Sequence, residues 1–311
     1  MIDRISVVMP TYNAMPFVRE AVQSILTQSY EALEFLIVNQ RSTDGTDEYL
    51  DLLADPRVRV IHRHRAGIGE ALHIALQEAR YDWVARMDAD DIALPRRLER
   101  EVAFVERNPQ YALVSCAFGY LGGSGRRLKA THVQPLRSAP DYDPTVDPMI
   151  LDQGMLFRRT AVIAVGGYRD IIPGAGVEGL DLCLRLHEAS YRLASIPDVL
   201  MLNRILPAGN TAANFIKQRV GWKYARACSA ARREGRPAPP AEEFLRAHWP
   251  RGWERLTVEG QRQFRLAGAS WGADRRLESA ARLALSVLLR PGYTASKFRI
   301  YFSNAGRSGV K

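Results

Sequence analysis

The chain has 311 residues, of which 47% are hydrophobic and 25% are charged, a composition that is typical of a soluble globular protein and excludes global disorder. Its formal net charge of +9 indicates an anionic partner, such as a nucleic acid, a phosphorylated small molecule or an acidic membrane surface. The three cysteines lie far apart, which argues against a disulfide framework or a zinc knuckle. Because no apolar run approaches the roughly 18 to 20 residues that span a bilayer, we expect a cytoplasmic protein.

Strand and helix patterns alternate along the first two thirds of the chain. Apolar runs predict strands at 5–9, 34–38, 57–62, 82–87, 111–121 and 153–159, and two more in "RLASI" and "DVLMLNRI". Helical periodicity predicts helices at 16–28, within 41–54, at 67–80, 95–107 and 178–189. This alternation is typical of an α/β fold with a Rossmann-like, mostly parallel sheet flanked by helices, in which ligands bind at the carboxyl ends of the strands.

The strand patterns stop near Leu206. Residues 210–311 have the pattern of Arg- and Ala-rich helices interrupted at 235–243. We therefore divide the chain into an N-terminal domain, 1–205, and a C-terminal helical extension, 206–311. The basic amphipathic pattern at 275–290 predicts a helix that packs on the first domain, and the alternative is peripheral contact with an anionic membrane.

Three carboxylates, Asp88, Asp90 and Asp91, follow the strand predicted at 82–87. Asp88 and Asp90 are spaced so that both can reach one cation, and Mg²⁺ or Mn²⁺ commonly shares such ligands with the phosphates of a substrate. We expect a structural role for Asp91, because it lies near the positive end of the helix predicted from Pro95. The spacing alone leaves a solvated acidic loop as the alternative.

Five segments occur in an order that resembles the inverting glycosyltransferase family 2: "SVVMPTYNAMPFVREAVQSILTQSY", "LIVNQRSTDGT", "ARMDADDIALPRRLE", "MLFRRTAVIAVGGYRD" and "EGLDLCLRL". The resemblance covers about residues 4–203 and implies the GT-A fold, a nucleotide-diphospho-sugar donor and a DxD motif. It implies that Asp90 binds the metal, Mn²⁺ or Mg²⁺, and that Asp88 lies by the ribose and the metal. It also implies that the segment after the first strand lies against the nucleotide: Pro10, Thr11, Tyr12 and Asn13.

Gln40 departs from the family pattern at a position where a carboxylate often contacts the base. An amide can both accept and donate hydrogen bonds, so Gln40 could pair with N3–H and O4 of uracil or thymine. Guanine, which presents two adjacent donors, suits a carboxylate better. This predicts a preference for UDP or dTDP, and the alternative is a neutral replacement that binds the base more weakly.

Gly179 is the second departure, because the family commonly carries its catalytic Asp there. Three replacements remain open: Glu178, Asp181 or a residue from another loop. We favour Glu178, because its longer side chain lies at the start of a helix, where an acid is stabilised by the dipole. Asp181 is more easily explained as a structural partner of Arg185, four residues later.

The leading hypothesis is a metal-dependent inverting glycosyltransferase with a glycan or lipid-linked acceptor, acting in surface polysaccharide biosynthesis. A catalytically impaired relative that still binds the donor is the second hypothesis, and it rests on Gly179. A basic nucleic-acid-binding protein is the third, but only the charge supports it and no known reading motif is present, so we expect no nucleic-acid partner. A dinucleotide-dependent dehydrogenase is disfavoured, because no GxGxxG follows the first strand.

Overall fold

The computed structural model describes residues 1–64, 67–122, 125, 143–145, 152–206, 214–272 and 275–295. The strands are β1 Ile5–Thr11, β2 Leu33–Asn39, β3 Val58–His62, β4 Trp83–Arg86, β5 Ile92–Ala93, β6 Tyr111–Gly122, β7 Leu156–Arg158 and β8 Arg192–Ile205. The helices of the N-terminal part are α1 Val18–Leu26, α2 Thr46–Asp51, α3 Ile68–Glu78, α4 Arg97–Arg107, α5 Arg159–Ala164 and α6 Glu178–Glu188. Those that follow are α7 Phe215–Arg233, α8 Ala241–His248, α9 Gly252–Gly272 and α10 Arg276–Leu289.

The described strands form one mixed sheet in the order β3-β2-β1-β4-β7-β6-β8-β5. The four strands from β3 to β4 are parallel, which confirms the predicted βαβ organisation. β7 is antiparallel to both β4 and β6, and the short β5 is antiparallel to β8. Because β7 runs against β4, the start of β7 lies at the same edge of the sheet as the end of β4.

Helices cover both faces of the sheet, and the residues of β1 show how the core is divided. Ile5, Val7 and Met9 pack into one apolar cluster with α1 and α4. Val8 points to the opposite face and packs with α3 and α6. Successive side chains of a strand point to opposite faces, so a strand that is buried on both sides has a continuous apolar run in its sequence.

Two details of the predicted elements are wrong. "RLASI" and "DVLMLNRI" form one strand, β8, whose pairing with β6 is irregular near Cys116 and Ala117. The strand predicted at 153–159 is only three residues long, because a 3₁₀ turn at Asp152–Gly154 precedes it and helix α5 follows it. The 3₁₀ turn matters for the site, since it places Asp152 beside the end of β4.

The first helix of the C-terminal region packs closely on the N-terminal part. Tyr224 and Cys228 of α7 share a buried apolar cluster with Ile172, Ala175 and Val177. The division at 205/206 stays a prediction, and a chain cut there would expose this cluster. Among the residues that the structure describes, no helix is both long and apolar enough to cross a membrane.

The helices α9 and α10 pack against each other. Ser279 and Ser286 of α10 donate hydrogen bonds of 2.8 Å to the carbonyl oxygens of Ala267 and Gly260 in α9. The opposite side of α10 is open, since Leu277 is 90% exposed and Leu288 is 79% exposed. These leucines are eleven residues apart, about three helical turns, so they share one face.

Candidate functional site

The loops that follow β1 and β2 meet at one edge of the sheet. Thr11 of β1 is in register with Asn39 of β2, and the Gln40 N–H donates to the Thr11 carbonyl at 2.9 Å. The Asn13 N–H donates to Ser42 Oγ at 2.9 Å. These bonds hold the predicted nucleotide-binding segment against the loop that carries Gln40.

The predicted nucleotide-binding residues of this edge differ in accessibility. Pro10 and Thr11 are buried at the end of β1, Tyr12 is half-buried and Asn13 is exposed. Gln40 is buried, and its Oε1 accepts a hydrogen bond of 3.0 Å from the Gly67 N–H. This hydrogen bond joins the loop after β2 to the start of α3.

The end of β4 places the acidic loop at the same edge. Arg86 of β4 is 2% exposed, and its Nε donates to Asp88 Oδ1 at 3.2 Å. Burial, opposed by Arg86, raises the pKa of the Asp88 carboxyl. Burial and the neighbouring Asp88 also raise the pKa of Asp90, to about 6. Burial therefore destabilises both charged carboxylates, and a bound cation would offset this destabilisation.

Asp91 has a structural role, but not the role at a helix start that the sequence suggested. Helix α4 begins at Arg97, after an N-cap residue that makes no side-chain cap hydrogen bond. Asp91 instead accepts hydrogen bonds from Asn203 Nδ2 at 3.0 Å and from the Arg204 N–H at 2.8 Å. The side chain of Arg204 donates to the Asp90 carbonyl at 2.7 Å. These contacts tie the acidic loop to the end of β8 and fix the backbone of Asp90.

The oxygen-rich loop suits a hard divalent cation that also binds phosphate oxygens. Within the described residues no ion pair holds the Asp90 carboxylate, whereas Arg86 occupies Asp88. The same part of the chain has no group of three or more His, Cys, Asp or Glu side chains able to hold a metal ion by themselves. A cation here would have Asp90 as its main protein ligand, with further oxygens from Asp88, a substrate or water.

A second carboxylate cluster surrounds the other side of Arg86. Arg86 Nη1 donates to Asp152 Oδ2 at 2.8 Å. Glu178, the first residue of α6, is 1% exposed, and its Oε1 is buried with no hydrogen-bond partner among the residues that the structure describes. Burial raises the pKa of Glu178 to about 7, with Arg86 opposing this shift and Asp152 adding to it. One buried guanidinium therefore pairs with two carboxylates, Asp88 and Asp152, and its charge also favours the ionised form of Glu178.

Asp181 is enclosed by guanidinium groups. Its fully buried carboxylate lies 2.8 Å from Arg185, as the i, i+4 spacing predicts, and 3.1 Å from Arg169. Arg232 of α7 approaches it to 3.7 Å. Asp181 thus joins α6 to α7 and to the loop before α6, and the structure places it in a different cluster from Glu178.

Gly179 lies directly against Asp152. A Cβ atom built at position 179 would be 2.4 Å from Asp152 Cβ and 2.5 Å from Asp152 Oδ2. Carbon atoms in ordinary contact are about 3.5 to 4.0 Å apart. The Asp152 side chain therefore fills the space that a side chain at 179 would need.

Three residues of this site escape prediction from the sequence: Arg86, Asp152 and Arg204. Arg86 had a detectable signal, because a charged residue within a buried strand requires a partner. Asp152 and Arg204 had no such signal in the sequence, since each reaches the site from a distant part of the chain.

Comparison with known proteins gives a consistent result. The family described as "Glycosyl transferase family 2" matches residues 6–166. The chain is 31% identical over 212 residues to the putative glycosyltransferase EpsE of Bacillus subtilis. This alignment covers 63% of the chain and 71% of EpsE. The chain is also 30% identical over 171 residues to the amylovoran biosynthesis glycosyltransferase AmsE of Erwinia amylovora. This second alignment covers 54% of the chain and 60% of AmsE.

Among solved structures, the chain resembles the mannosyltransferase PcManGT from Pyrobaculum calidifontis in complex with GDP-Man and Mn²⁺. The TM-score is 0.60 at 21% identity, over 97% of this chain and 80% of PcManGT. At this identity the likeness establishes the fold, and it confirms the predicted GT-A architecture of a mixed α/β sheet flanked by helices.

Proposed function

Since the chain belongs to glycosyltransferase family 2, we propose that it is a metal-dependent inverting enzyme. It transfers a sugar from a nucleotide-diphospho-sugar to a hydroxyl group of a glycan or lipid-linked acceptor. The observation that carries the proposal is the Asp88–Asp90 pair, which lies at the carboxyl end of β4 beside the predicted nucleotide-binding segment. The name of the relative AmsE, which assigns it to amylovoran biosynthesis, supports a role in the assembly of surface polysaccharide.

The residues of the acidic loop account for donor binding. We propose that Asp90, with Asp88, holds Mn²⁺ or Mg²⁺, which neutralises the charge on the departing nucleoside diphosphate. Arg204 keeps the Asp90 backbone in place through its 2.7 Å hydrogen bond to the Asp90 carbonyl. PcManGT, whose fold this chain shares, is described as a complex with Mn²⁺, which supports divalent-metal use in general.

The proposed nucleotide is UDP or dTDP, with the base beside Gln40 and against the segment from Pro10 to Asn13. The amide of Gln40 is buried at this edge and can both donate and accept. The GDP-Man complex of PcManGT makes guanine the competitor to test.

Binding of UDP, dTDP and GDP, measured by calorimetry with Mn²⁺ and with EDTA, tests the proposal. We expect UDP to bind at least tenfold more tightly with Mn²⁺ than with EDTA, and GDP to bind more weakly than UDP. Asp90→Asn keeps the size of the side chain but removes its charge, so most of the Mn²⁺-dependent affinity should disappear. Asp198→Asn is the control, because Asp198 pairs with Arg100 away from the acidic loop.

Equal UDP affinity in Mn²⁺ and EDTA, for wild type and Asp90→Asn alike, would contradict the metal assignment. Tighter binding of GDP than of UDP would contradict the role of Gln40. Mn²⁺-dependent UDP binding without any turnover of UDP-sugars would favour the catalytically impaired relative.

We further propose that the exposed leucine face of α10 contacts an anionic membrane from the cytoplasmic side. Its support is the exposure of Leu277 and Leu288 together with the net charge of +9. Amphipathic helices of this kind bind anionic lipid through buried apolar area and basic side chains.

A further inference from the structure

The family's expected catalytic Asp is replaced by Gly179, yet the space beside Gly179 holds a carboxylate. The three atoms nearest to a Cβ at position 179 all belong to Asp152: Cβ at 2.4 Å, Oδ2 at 2.5 Å and Cγ at 2.8 Å. Asp152 comes from the turn before β7 and not from α6. Two positions that are 27 residues apart in the sequence therefore compete for one volume, and side chains at both positions would clash.

Asp152 is more accessible to solvent than the two acids at the start of α6, Glu178 and Asp181. A general base must come within hydrogen-bond distance of the hydroxyl group whose proton it removes. Glu178 is 1% exposed and Asp181 is fully buried, whereas the Asp152 side chain is 21% exposed. Of these three, Asp152 can meet an acceptor without a rearrangement.

The surroundings of Asp152 also suit a base that acts beside the donor. Arg86 holds Asp152 Oδ2 through a hydrogen bond of 2.8 Å and also contacts Asp88. This fixes the carboxylate next to the acidic loop. Because Arg86 binds Oδ2 of Asp152, its Oδ1 is the oxygen available to accept a proton. Asp181, by contrast, is enclosed by three guanidinium groups.

We propose that Asp152 is the general base of the transfer reaction and that it replaces, from another loop, the carboxylate missing at Gly179. The acceptor oxygen forms a bond to the anomeric carbon while its proton passes to Asp152. The bond from the anomeric carbon to the diphosphate oxygen breaks, and the nucleoside diphosphate leaves with the electron pair. The protonated Asp152 then returns the proton to water. The inference rests on the proposed function, and it takes the place of the sequence-based preference for Glu178.

The first test uses Asp152→Asn, which keeps the shape of the side chain but cannot accept the proton. The probes are UDP-glucose, UDP-galactose and UDP-N-acetylglucosamine with Mn²⁺ and with water as the acceptor, and the signal is released UDP. General-base assistance contributes about 10²- to 10⁴-fold, so kcat should fall at least about 10²-fold. The Kd of UDP with Mn²⁺ should stay within about threefold of wild type, which also shows that the variant is folded.

The second test moves the carboxylate from one loop to the other. Asp152→Gly empties the volume, and Asp152→Gly combined with Gly179→Asp refills it from α6. Asp152→Ala is unsuitable for this purpose, because its Cβ would still clash with a side chain at 179. We expect kcat of the double variant to exceed that of Asp152→Gly at least tenfold, while Asp198→Asn serves as the surface control. A purely structural role for Asp152 does not predict this recovery.

The outcomes separate the inference from the proposed function. Retention of wild-type kcat by Asp152→Asn, or a larger kcat loss in Glu178→Gln than in Asp152→Asn, would overturn Asp152 as the base. Turnover by the double variant alone, with UDP binding but no turnover in the wild type, would also overturn it. Absence of Mn²⁺-dependent binding of UDP, dTDP and GDP alike in the wild type would overturn the proposed function and this inference together.

Discussion

The contact between Gly179 and Asp152 can be measured as a coupling energy. In Gly179→Ala the new Cβ would lie 2.4 Å from Asp152 Cβ, more than 1 Å inside ordinary contact distance. The clash is with the Cβ, which cannot move away without its backbone. Overpacking of this kind destabilises the folded state by about 1 to 3 kcal/mol. Replacement of Gly by Ala within a helix stabilises it by about 1 kcal/mol. We expect Gly179→Ala to lower the free energy of unfolding by up to about 2 kcal/mol.

The sign of this effect should reverse when Asp152 is replaced by Gly. The clash is then absent and the helix propensity remains, so Gly179→Ala should raise the free energy of unfolding by up to about 1 kcal/mol. The assay is urea unfolding of the wild type, both single variants and the double variant, analysed as a double-mutant cycle. If Gly179→Ala has the same effect in both backgrounds to within about 0.5 kcal/mol, the two positions do not compete for space and the reasoning is refuted.

Three further predictions concern other parts of the molecule. Asp181→Asn removes the charge that faces three arginines and should lower the free energy of unfolding by about 3 to 5 kcal/mol, and a loss under about 1 kcal/mol in urea would contradict a structural role. The pKa of Glu178 is raised from 4.5 to about 7 in the folded state. The folded protein therefore binds more protons than the unfolded chain between these pH values, and its stability should fall as the pH rises from about 4.5 to about 7. Glu178→Gln should reduce the difference in unfolding free energy between pH 5 and pH 8 by on the order of 2 kcal/mol, and an unchanged pH dependence would contradict this assignment. The Leu277→Ser/Leu288→Ser variant should float less with anionic vesicles than the wild type, and equal flotation would leave the exposed face of α10 without a membrane role.

The sequence predicted β1 and β2 accurately because both strands are buried on both faces. β1 and β2 are fully buried, so their composition is dominated by the core and does not depend on remote partners. The carboxyl ends of β1, β2 and β4 then had to meet at one edge, since parallel neighbours end together. The alternation of strands and helices was therefore enough to place Asp88, Asp90 and Gln40 at the same edge of the sheet.

The sequence failed where local patterns were overridden by contacts between distant segments. Asp91 lies near a predicted helix start, and its bonds with Asn203 and Arg204 were not visible in its neighbourhood. The segment 153–159 has a strand-like composition, but only three of its residues pair between β4 and β6. Element boundaries depend on such pairing, which periodicity does not record.

The family was determined by the sequence alone, and so was the metal-binding role that we propose for the acidic loop, because both depend on residue types at short spacing. The replacement that we propose for the missing base was not predicted from the sequence, because it depends on which side chain fills one volume of the folded protein. In the sequence, Gly179 shows only that the expected Asp is missing. The tertiary structure brings Asp152 to within contact distance of it, since β7 runs antiparallel to β4 and returns the preceding turn to the edge where the acidic loop lies. A one-dimensional pattern cannot record that a volume left empty by one residue is filled by another.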